Sequence, residues 1–539
     1  MDDALRAGAE VTLLVRGRTG VELFPGVPRR IGDRDTAASL TCVLTLPYLA
    51  LVLIELVNGM QWHERLQRCP PDVRRTCRPG HHPPRSAATR EAPWPASGAR
   101  RSPEAAAFRD SAPRLPPGRP PVRNTRRRGS RSARPGRRGA ALYDTDVAIV
   151  GAGAAGLSLA HHLCLPSRPG RRRPAVQLIE APPGPVRSPE RTWCFWEPPG
   201  GAYDSALTAS WQRLRVRGPD GAEIIGDPAP LRYKMLRSRS FEELVGARLE
   251  AVPEVRRTEA VVDAVRQLPH GAEVLGRTAR GGSLALRARW VFDSRPLDAL
   301  PPSRTRLLQH FRGWFLRTEH PVFDSAVPDL MDFRTPQPAH GLSFGYVLPT
   351  SPYEALAEYT EFSPAILDDA GYDRALGHYV REVLGVERFE ATATEQGVIP
   401  MSDARYPRRV SASVFRIGTA GGATRPSTGY TFAAVQRQAR AIASAYHQRR
   451  TPLPPPAHSA RSRLMDAALL RALGSGRVDG AAFFTRLFQE VPTERLLRFL
   501  DGGTRLHEDL SIGLHTPFLP MLRSVAELPV LPRRSAAVR

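Results

Sequence analysis

Residues 146–160 of the chain are DVAIVGAGAAGLSLA, in which a short apolar run leads into a glycine-rich turn and then a helix. The spacing is GxGxxG: the first glycine makes the tight turn, the second lets backbone approach a pyrophosphate, and the third lets the helix pack closely on the strand. This pattern predicts a dinucleotide site at a helix N-terminus, with a structural turn in another α/β unit as the alternative. Its predicted contacts are Gly151, Gly153, Ala154, Ala155 and Gly156.

Two later strands are predicted to border the same site. Residues 175–180, AVQLIE, predict a strand that ends in an acid, and Glu180 would accept hydrogen bonds from the ribose hydroxyls of an adenosine. Residues 290–293, WVFD, predict another strand that ends in an acid. We expect Asp293 and Arg295 to hold the turn after this strand close to the bound cofactor.

A second glycine-rich loop lies late in the chain. Residues 414–418, VFRIG, predict a strand, and the segments TAGG and RPSTGY precede a helix predicted over 430–446. Backbone N–H groups would again face an anion here. Two such loops suit an extended FAD that threads between them. The predicted contacts in this region are Gly418, Gly421, Gly422, Ser427, Thr428, Gly429 and Tyr430.

The net charge of +24 is concentrated before the first glycine motif. Between residues 100 and 138 there are thirteen arginines against two acids, within a Pro-, Arg-, Ser- and Gly-rich region, 71–140. Such a segment cannot bury enough surface to offset its chain entropy, so it predicts a disordered linker. Attraction to anionic lipid headgroups is the alternative. Nucleic acid is not expected as a partner, because aromatic residues for base stacking are nearly absent there.

The first seventy residues, 1–70, form an extension of unknown role. Residues 41–57, TCVLTLPYLALVLIELV, are the most apolar run in the chain but contain Pro47 and Glu55. A membrane-contacting helix, a buried helix and a poorly defined extension all remain open for this run. The five cysteines are odd in number and lack CxxC spacing, so neither a disulfide framework nor a metal site is predicted.

From residue 141 onward, short apolar runs alternate with helical segments, which predicts an α/β fold. We predict a Rossmann-like FAD-binding domain of the glutathione-reductase type, with an interleaved β-rich substrate domain, over residues 141–450. Residues 451–539 are predicted to form a helical region that faces the substrate or the membrane. Its apolar stripes, such as the one at Phe483, Phe484 and Leu487, suit core packing, with a lipid-facing or tunnel surface as the alternative.

A series of motifs in a fixed order runs through residues 144–524. Besides the first glycine loop, the motifs are RTWCFWE (191–197), residues 233–239, FDSRP (292–296), QHFRGW (309–314), LMDFR (330–334), FGYVLP (344–349), LAEYTEFS (356–363), EQGVIPM (395–401), IGTAGG (417–422) and PSTGY (426–430). In this series the chain resembles the flavin-dependent lycopene cyclases of bacteria and plants. Many related flavoproteins carry an aspartate in the late turn where this chain has Thr419, and lycopene cyclases also tend to lack that acid.

The resemblance implies an enzyme that closes the linear ends of lycopene into β-ionone rings, giving γ-carotene and then β-carotene by isomerisation. It implies reduced FAD as the cofactor and NADPH as the electron donor. Because lycopene resides in the bilayer, we expect a peripheral or monotopic protein on the cytoplasmic face of the membrane, with the membrane surface and other carotenoid-biosynthesis enzymes as partners. The number of ends cyclised and the choice of β over ε rings stay open.

Protonating an unactivated alkene requires a strong acid in an apolar pocket, where burial raises the pKa of a carboxylic acid and keeps it protonated. Glu358 is the first candidate, because in LAEYTEF it occupies the place of the family's functional glutamate and follows an apolar strand. Glu361 competes but would face the opposite side of a regular strand. Asp332 in MDF and Glu197 in CFWE are further candidates, each with a structural role as the alternative.

Two other functional classes match parts of the sequence. Another flavoenzyme, a monooxygenase or reductase acting on an isoprenoid or lipid, would share the FAD-binding fold but consume NADPH in proportion to product. A membrane-associated scaffold would act through the basic N-terminal region, and the intact GxGxxG motif argues against it.

Overall fold

The computed structural model describes residues 13–14, 29–30, 142–165 and 172–537. The chain divides into two units, Met1–Arg128 and Gly129–Arg539. In the first unit, the described residues are a short parallel pair of strands, Leu13–Leu14 (β1) and Arg29–Arg30 (β2). The predictions for the apolar run 41–57 and for the linker 71–140 lie outside the described residues.

The second unit alternates strands and helices and ends in a helical region. Its strands are Thr145–Val150 (β3), Val176–Glu180 (β4), Thr192–Glu197 (β5), Ala209–Trp211 (β6), Leu214–Arg217 (β7), Glu223–Gly226 (β8), Arg232–Arg237 (β9), Val255–Gln267 (β10), Ala272–Thr278 (β11), Ser283–Asp293 (β12), Ala299–Ser303 (β13), Arg306–Arg317 (β14), Asp329–Asp332 (β15), Leu342–Pro349 (β16), Glu354–Ser363 (β17), Glu390–Ser402 (β18), Val414–Arg416 (β19) and Arg534–Ala537 (β20). Its helices are Ala154–Cys164 (α1), Ser238–Glu250 (α2), Asp369–His378 (α3), Phe432–His447 (α4), Ala460–Gly474 (α5), Gly480–Glu490 (α6), Thr493–Leu500 (α7), Leu506–Gly513 (α8) and Phe518–Glu527 (α9).

The first sheet is largely parallel and contains the strands predicted around both glycine loops. Its order is β11-β10-β4-β3-β12-β19, and β11 pairs antiparallel with both β10 and β12. The predicted strands near residues 147, 176, 290 and 414 are confirmed as β3, β4, the end of β12, and β19. The helix predicted from residue 430 begins at Phe432, because Gly429 (φ +72°) still belongs to the preceding turn.

Apolar side chains of α1, α2 and α4 form one core with this sheet. Leu157, Phe241 and Phe432 from the three helices are buried with Ile149 of β3. The apolar run of β3 is buried almost throughout, as expected for a parallel strand inside an α/β fold. This packing fixes α1 so that its N-terminus lies directly after the carboxyl end of β3.

The second sheet is mainly antiparallel, with the order β18-β14-β17-β16-β15-β7-β8. Helices α5 and α6 pack against it, so the predicted C-terminal apolar stripes are mostly core. Among the described residues, none of the helices has both the length and the apolar character required to cross a bilayer. Core residues shared by this sheet and the two helices include Leu307, Phe344, Leu470, Leu473, Phe483, Phe484 and Leu487.

A buried ion pair joins the helical region to the late glycine-rich loop. Arg425 Nε lies 3.0 Å from Asp466 Oδ1, and both side chains are only 2% exposed. Ser427 donates a second hydrogen bond to the same oxygen at 2.7 Å. Removing one partner of a buried pair leaves an uncompensated charge, and this lowers the free energy of unfolding far more than breaking a solvent-exposed pair does.

We therefore expect Asp466→Ala to lower the free energy of unfolding by about 3–5 kcal/mol, the usual cost of orphaning a buried charge. Urea denaturation of the full chain measures this. Glu243→Ala is the matched control, because its pair with Arg239 is exposed on both sides (66% and 77%) and is expected to change stability by less than about 0.5 kcal/mol. Equal effects of the two substitutions would contradict the prediction.

Candidate active site

The two sheets together line a cavity of about 1220 Å³, larger than the roughly 300–1,000 Å³ of most small-molecule sites. One end is formed by the loops after β3, β4 and β12. The other end is formed by β14, β16, β17 and β18 of the second sheet. These dimensions suit an extended cofactor together with a second ligand.

The first glycine loop has the backbone geometry that its motif predicts. Gly151 has φ +98°, and a Cβ at Gly156 would lie 1.8 Å from the carbonyl oxygen of Gly151. Gly156 therefore packs under the loop and does not line the cavity, whereas Gly151, Gly153, Ala154 and Ala155 do line it. No side chain caps the N-terminus of α1, so its first N–H groups are available to an anionic ligand.

The late loop meets the first loop at the same end of the cavity. Gly418, with φ +64°, approaches α1 so closely that a Cβ there would lie 3.0 Å from the Cβ of Ala155. Thr428, Gly429 and Tyr430 continue the lining from this loop. The fold thus brings together the two glycine-rich segments that the sequence suggested as two ends of one cofactor site.

Three predicted contacts of the late loop do not line the cavity, and each has a structural role. Gly421 packs against backbone, since a Cβ there would lie 2.5 Å from the carbonyl oxygen of Arg416. Gly422 has φ +78° and lies against Tyr406. Ser427 is engaged with Asp466. In this structure these three residues shape and anchor the turn, and the predicted cofactor contacts that line the cavity from this loop are Gly418, Thr428, Gly429 and Tyr430.

The acids at the strand ends lie at the same end of the cavity. Glu180 lines it and forms ion pairs with Arg187 and, at 2.9 Å, with Arg257. Asp293 accepts hydrogen bonds from the backbone N–H and the guanidinium of Arg295 at 2.9–3.0 Å. Only Arg295 of this pair lines the cavity. Asp293 therefore acts by orienting Arg295.

Three residues that line the cavity each have a buried side-chain oxygen that makes no hydrogen bond within the described protein. These oxygens are Gln309 Oε1, Thr428 Oγ1 and Tyr233 Oη. Buried polar atoms are nearly always hydrogen-bonded in folded proteins, so unpaired atoms around a cavity indicate a polar ligand. Together with the open glycine cradle, they fit a dinucleotide whose far end reaches the second sheet.

At the far end, four residues stand in one row across the second sheet. Glu358 of β17 is in register with Tyr346 of β16 and with Gly313 of β14, and Gly313 is in turn in register with Glu395 of β18. Residues in register point to the same face of a sheet. Tyr346, Glu358 and Glu395 all line the cavity, whereas Gly313 has no side chain and Leu356 packs over it.

Burial raises the pKa of Glu358 to about 8, the nearby Glu395 charge adds to the increase, and a hydrogen bond from Thr360 opposes it. Thr360 Oγ1 donates to Glu358 Oε1 at 2.6 Å. The Glu358 carboxyl is therefore protonated at neutral pH. Aromatic side chains are its neighbours, since Tyr346 and Tyr430 line this end and Trp196 packs edge-on to Tyr430 at 4.6 Å.

The other three candidate acids lie outside the cavity. Glu361 faces the opposite side of β17 and accepts a hydrogen bond from Tyr359 at 3.1 Å. Asp332 is fully buried and accepts hydrogen bonds from Arg334 at 2.6 and 2.9 Å and from Tyr379.

Glu197, at the end of β5, is paired with Lys234 at 3.1 Å. Asp332 and Glu197 each neutralise a neighbouring cation, and neither lines the cavity, so the structure does not bring them together with Glu358.

Sequence reasoning missed two polar lining residues, Gln309 and Glu395. Both stand in quoted motifs, QHFRGW and EQGVIPM, but neither motif reveals which strand lies next to which. Glu395 is the one charged residue in the segment 391–402, and this isolation is the signal from which a functional role could have been predicted. In the described residues, no group of three or more His, Cys, Asp or Glu is arranged to hold a metal ion.

Because burial raises the pKa of Glu358 to about 8, we expect a protonated carboxyl signal at neutral pH that disappears as the pH rises through about 8. Infrared difference spectra of the wild-type protein against Glu358→Gln measure it. Glu361→Gln is the control on the same strand and should leave the signal in place. Loss of the signal already near pH 5 would contradict the assignment.

The chain shares its fold with a flavoprotein/dehydrogenase from Cytophaga hutchinsonii, with a TM-score of 0.50 at 11% identity over 71% of this chain and 98% of that chain. A geranylgeranyl bacteriochlorophyll reductase-like protein from Thermoplasma acidophilum gives a TM-score of 0.48 at 13% identity, over 71% and 99% of the two chains. No curated protein matches the sequence. The family described as "Lycopene cyclase protein" matches residues 146–526. The chain therefore belongs to the lycopene cyclase family.

Proposed function

We propose that this protein is a flavin-dependent lycopene β-cyclase. It would convert the linear ends of lycopene to β-ionone rings, giving γ-carotene and then β-carotene, with no net change in oxidation state. The observation that carries the proposal is a single one: Glu358, protonated at neutral pH, lines an apolar and aromatic cavity next to a dinucleotide cradle. A cation-forming isomerisation requires this combination, whereas a hydroxylation does not.

FAD is the proposed cofactor, kept reduced by NADPH. Gly151, Gly153 and the first N–H groups of α1 would hold the pyrophosphate, and Glu180 would accept the ribose hydroxyls. Thr428 and Gln309, which line the same cavity, would supply further polar contacts to the cofactor. When bound, reduced flavin supplies negative charge close to where positive charge develops on the substrate.

Glu358 begins the proposed reaction. Its Oε–H donates a proton to the terminal double bond, and a tertiary carbocation results. The neighbouring double bond attacks this cation and closes the six-membered ring, after which a ring proton is lost. Well-placed acid catalysis contributes roughly 10²–10⁴-fold to the rate.

The aromatic wall supports the proposed cation in two ways. Tyr346 and Tyr430 present electron-rich rings, which attract a cation. Trp193, which stacks on Phe432 at 5.5 Å between ring centres, helps to exclude water that would quench the intermediate. Burial raises the pKa of both tyrosine hydroxyls, so these side chains stay neutral.

We expect the full chain to convert lycopene to cyclic carotenes in a lycopene-accumulating host, and Glu358→Gln to reduce ring formation by about 10²-fold or more, because the amide cannot supply the proton. Chromatography of extracted pigments measures both. Glu361→Gln, on the opposite face of the same strand, should retain most of the activity.

The bound-flavin absorbance of each purified variant serves as the folding control. Ring formation by Glu358→Gln at the wild-type rate would refute the assignment of the proton donor. Oxidation of one NADPH for each product molecule would instead favour the rival monooxygenase or reductase.

A peripheral position on the cytoplasmic face of the membrane is part of the proposal, because the substrate is a bilayer hydrocarbon. Leu514, Phe518, Leu519 and Leu522, on and before α9, are at least 39% exposed, and Leu519 is 73% exposed. Arg523 beside them has 73% of its side chain exposed, which suits anionic headgroups. We propose that this surface, the α9 surface, contacts lipid.

We expect the double substitution Phe518→Glu and Leu519→Glu to reduce binding of the full chain to vesicles of phosphatidylcholine and phosphatidylglycerol several-fold. Flotation on a density gradient measures the bound fraction. Ile225→Glu is the control, because Ile225 on β8 is 52% exposed and lies outside the α9 surface. Unchanged flotation of the double variant would place the lipid contact elsewhere.

A further inference from the structure

The cavity contains a second carboxyl group that the mechanism above does not use. Glu395 of β18 lines the cavity in the same row as Glu358. A cyclisation that starts by adding a proton must end by removing one, and the proposed function leaves the acceptor unassigned. We propose that Glu395 is the base that removes the ring proton, so that the glutamates on either side of Gly313 act as an acid and a base. This inference rests on the proposed function.

The first support is position. Glu358 and Glu395 are both in register with Gly313 on the strand between them, so their Cα atoms are roughly 9–10 Å apart, two strand spacings. Both side chains point to the same face. An end group of the substrate bound in the cavity against this face would have a carboxyl group on each of two strands beside it.

Gly313 lies between the two glutamates on the middle strand and has no side chain. A Cβ there would lie 2.8 Å from Leu356 Cδ1 and 3.4 Å from the Cβ of Glu358. Leu356 therefore packs over the glycine backbone, and any larger residue at position 313 would press on the strand that holds the acid.

The second support is the difference in hydrogen bonding between the two glutamates. Thr192 donates its backbone N–H to Glu395 Oε1 at 2.7 Å and its hydroxyl to Oε2 at 2.6 Å. Two donors, one on each oxygen, favour the carboxylate form. Glu358 accepts a hydrogen bond only from the hydroxyl of Thr360 among the described residues.

The charges around Glu395 act in the same direction. Burial raises the pKa of Glu395 overall, and the Thr192 hydrogen bonds and the positive charges of Arg237 and Arg191 reduce that increase. No cation is among the causes that shift the pKa of Glu358. When two carboxyl groups have environments that differ in this way, one can act as the acid and the other as the base.

Other side chains at this end are poorly suited to be the base. Burial raises the pKa of the Cys194 thiol to about 12, so it stays protonated, and the same cause keeps the hydroxyls of Tyr346 and Tyr430 protonated. Glu180 and Glu242, the remaining acids of the lining, lie at the opposite end near Arg187.

The two steps balance without an oxidant or reductant. In the first, the O–H bond of Glu358 breaks and a C–H bond forms on the terminal carbon pair. In the last, a ring C–H bond breaks, its electron pair forms the ring double bond and neutralises the cation, and the proton passes to a Glu395 oxygen. Exchange with water then returns one proton from Glu395 to Glu358.

The test uses the full chain with reduced FAD and lycopene in vesicles made with heavy water. Glu395→Gln should lower ring formation by about 10²-fold or more, the usual contribution of a general base. Protonation by Glu358 would still occur and reverse, so recovered lycopene should carry deuterium at its terminal double bonds. Glu358→Gln should give neither rings nor deuterium. Glu390→Gln, exposed on the same strand as Glu395, is the control and should behave as the wild type.

Two outcomes would overturn the inference while the wild type still makes rings: Glu395→Gln cyclising within threefold of the wild type, or Glu395→Gln losing both rings and deuterium exchange with flavin still bound. If Glu395→Gln does not retain flavin, Glu395→Asp provides the test, since it keeps a carboxylate. Activity of Glu395→Asp no higher than that of the glutamine variant would also overturn it. Absence of rings with the wild-type chain would instead refute the proposed function itself.

Discussion

The Glu358 carboxyl group lies in an apolar interior, and the free-energy cost of removing its charged form from water determines its protonation state. Several other buried acids in the described part of the chain neutralise an arginine: for example, Asp329 pairs with Arg215 at 2.5 Å, and Asp466 pairs with Arg425. Glu358 has no such partner. An unpaired carboxyl in an apolar place remains neutral because ionisation there is unfavourable. The fold maintains that situation by surrounding Glu358 with strands and aromatic rings.

The cavity is a joint product of two sheets that differ in character. The parallel sheet ends in loops with bare backbone N–H groups, which suit a phosphorylated ligand, and the antiparallel sheet contributes side chains from alternate positions of long strands. Neither sheet alone provides both kinds of surface. The ion pair of Arg425 with Asp466 couples them further, because it fastens the loop of one sheet to a helix that packs on the other.

Features of the site that depend on neighbouring residues in the chain are predictable from sequence, whereas contacts between distant strands are not. The turn at Gly151 and Gly156 depends on the backbone of a few adjacent residues, so its pattern predicts its geometry. The opposite orientations of Glu358 and Glu361 also follow from spacing along one strand. The pairing of Glu358 with Gly313 and of Gly313 with Glu395 depends on strand order, which a single sequence does not reveal. The pairing of Glu197 with Lys234 is non-local for the same reason, whereas Asp332 contacts Arg334 within the motif LMDFR.

The contact of Gly418 with Ala155 has a consequence for the order of events during synthesis. The two loops are separated by more than half the length of the described fold, and β19, which leads into the late loop, pairs with β12 at the edge of the sheet. Contacts between residues so distant along the chain form slowly, because a large loop must close first. A growing chain that has emerged from the ribosome only as far as the first glycine motif therefore holds half of a binding site, and a ligand that needs both loops is captured only after translation has passed the late one.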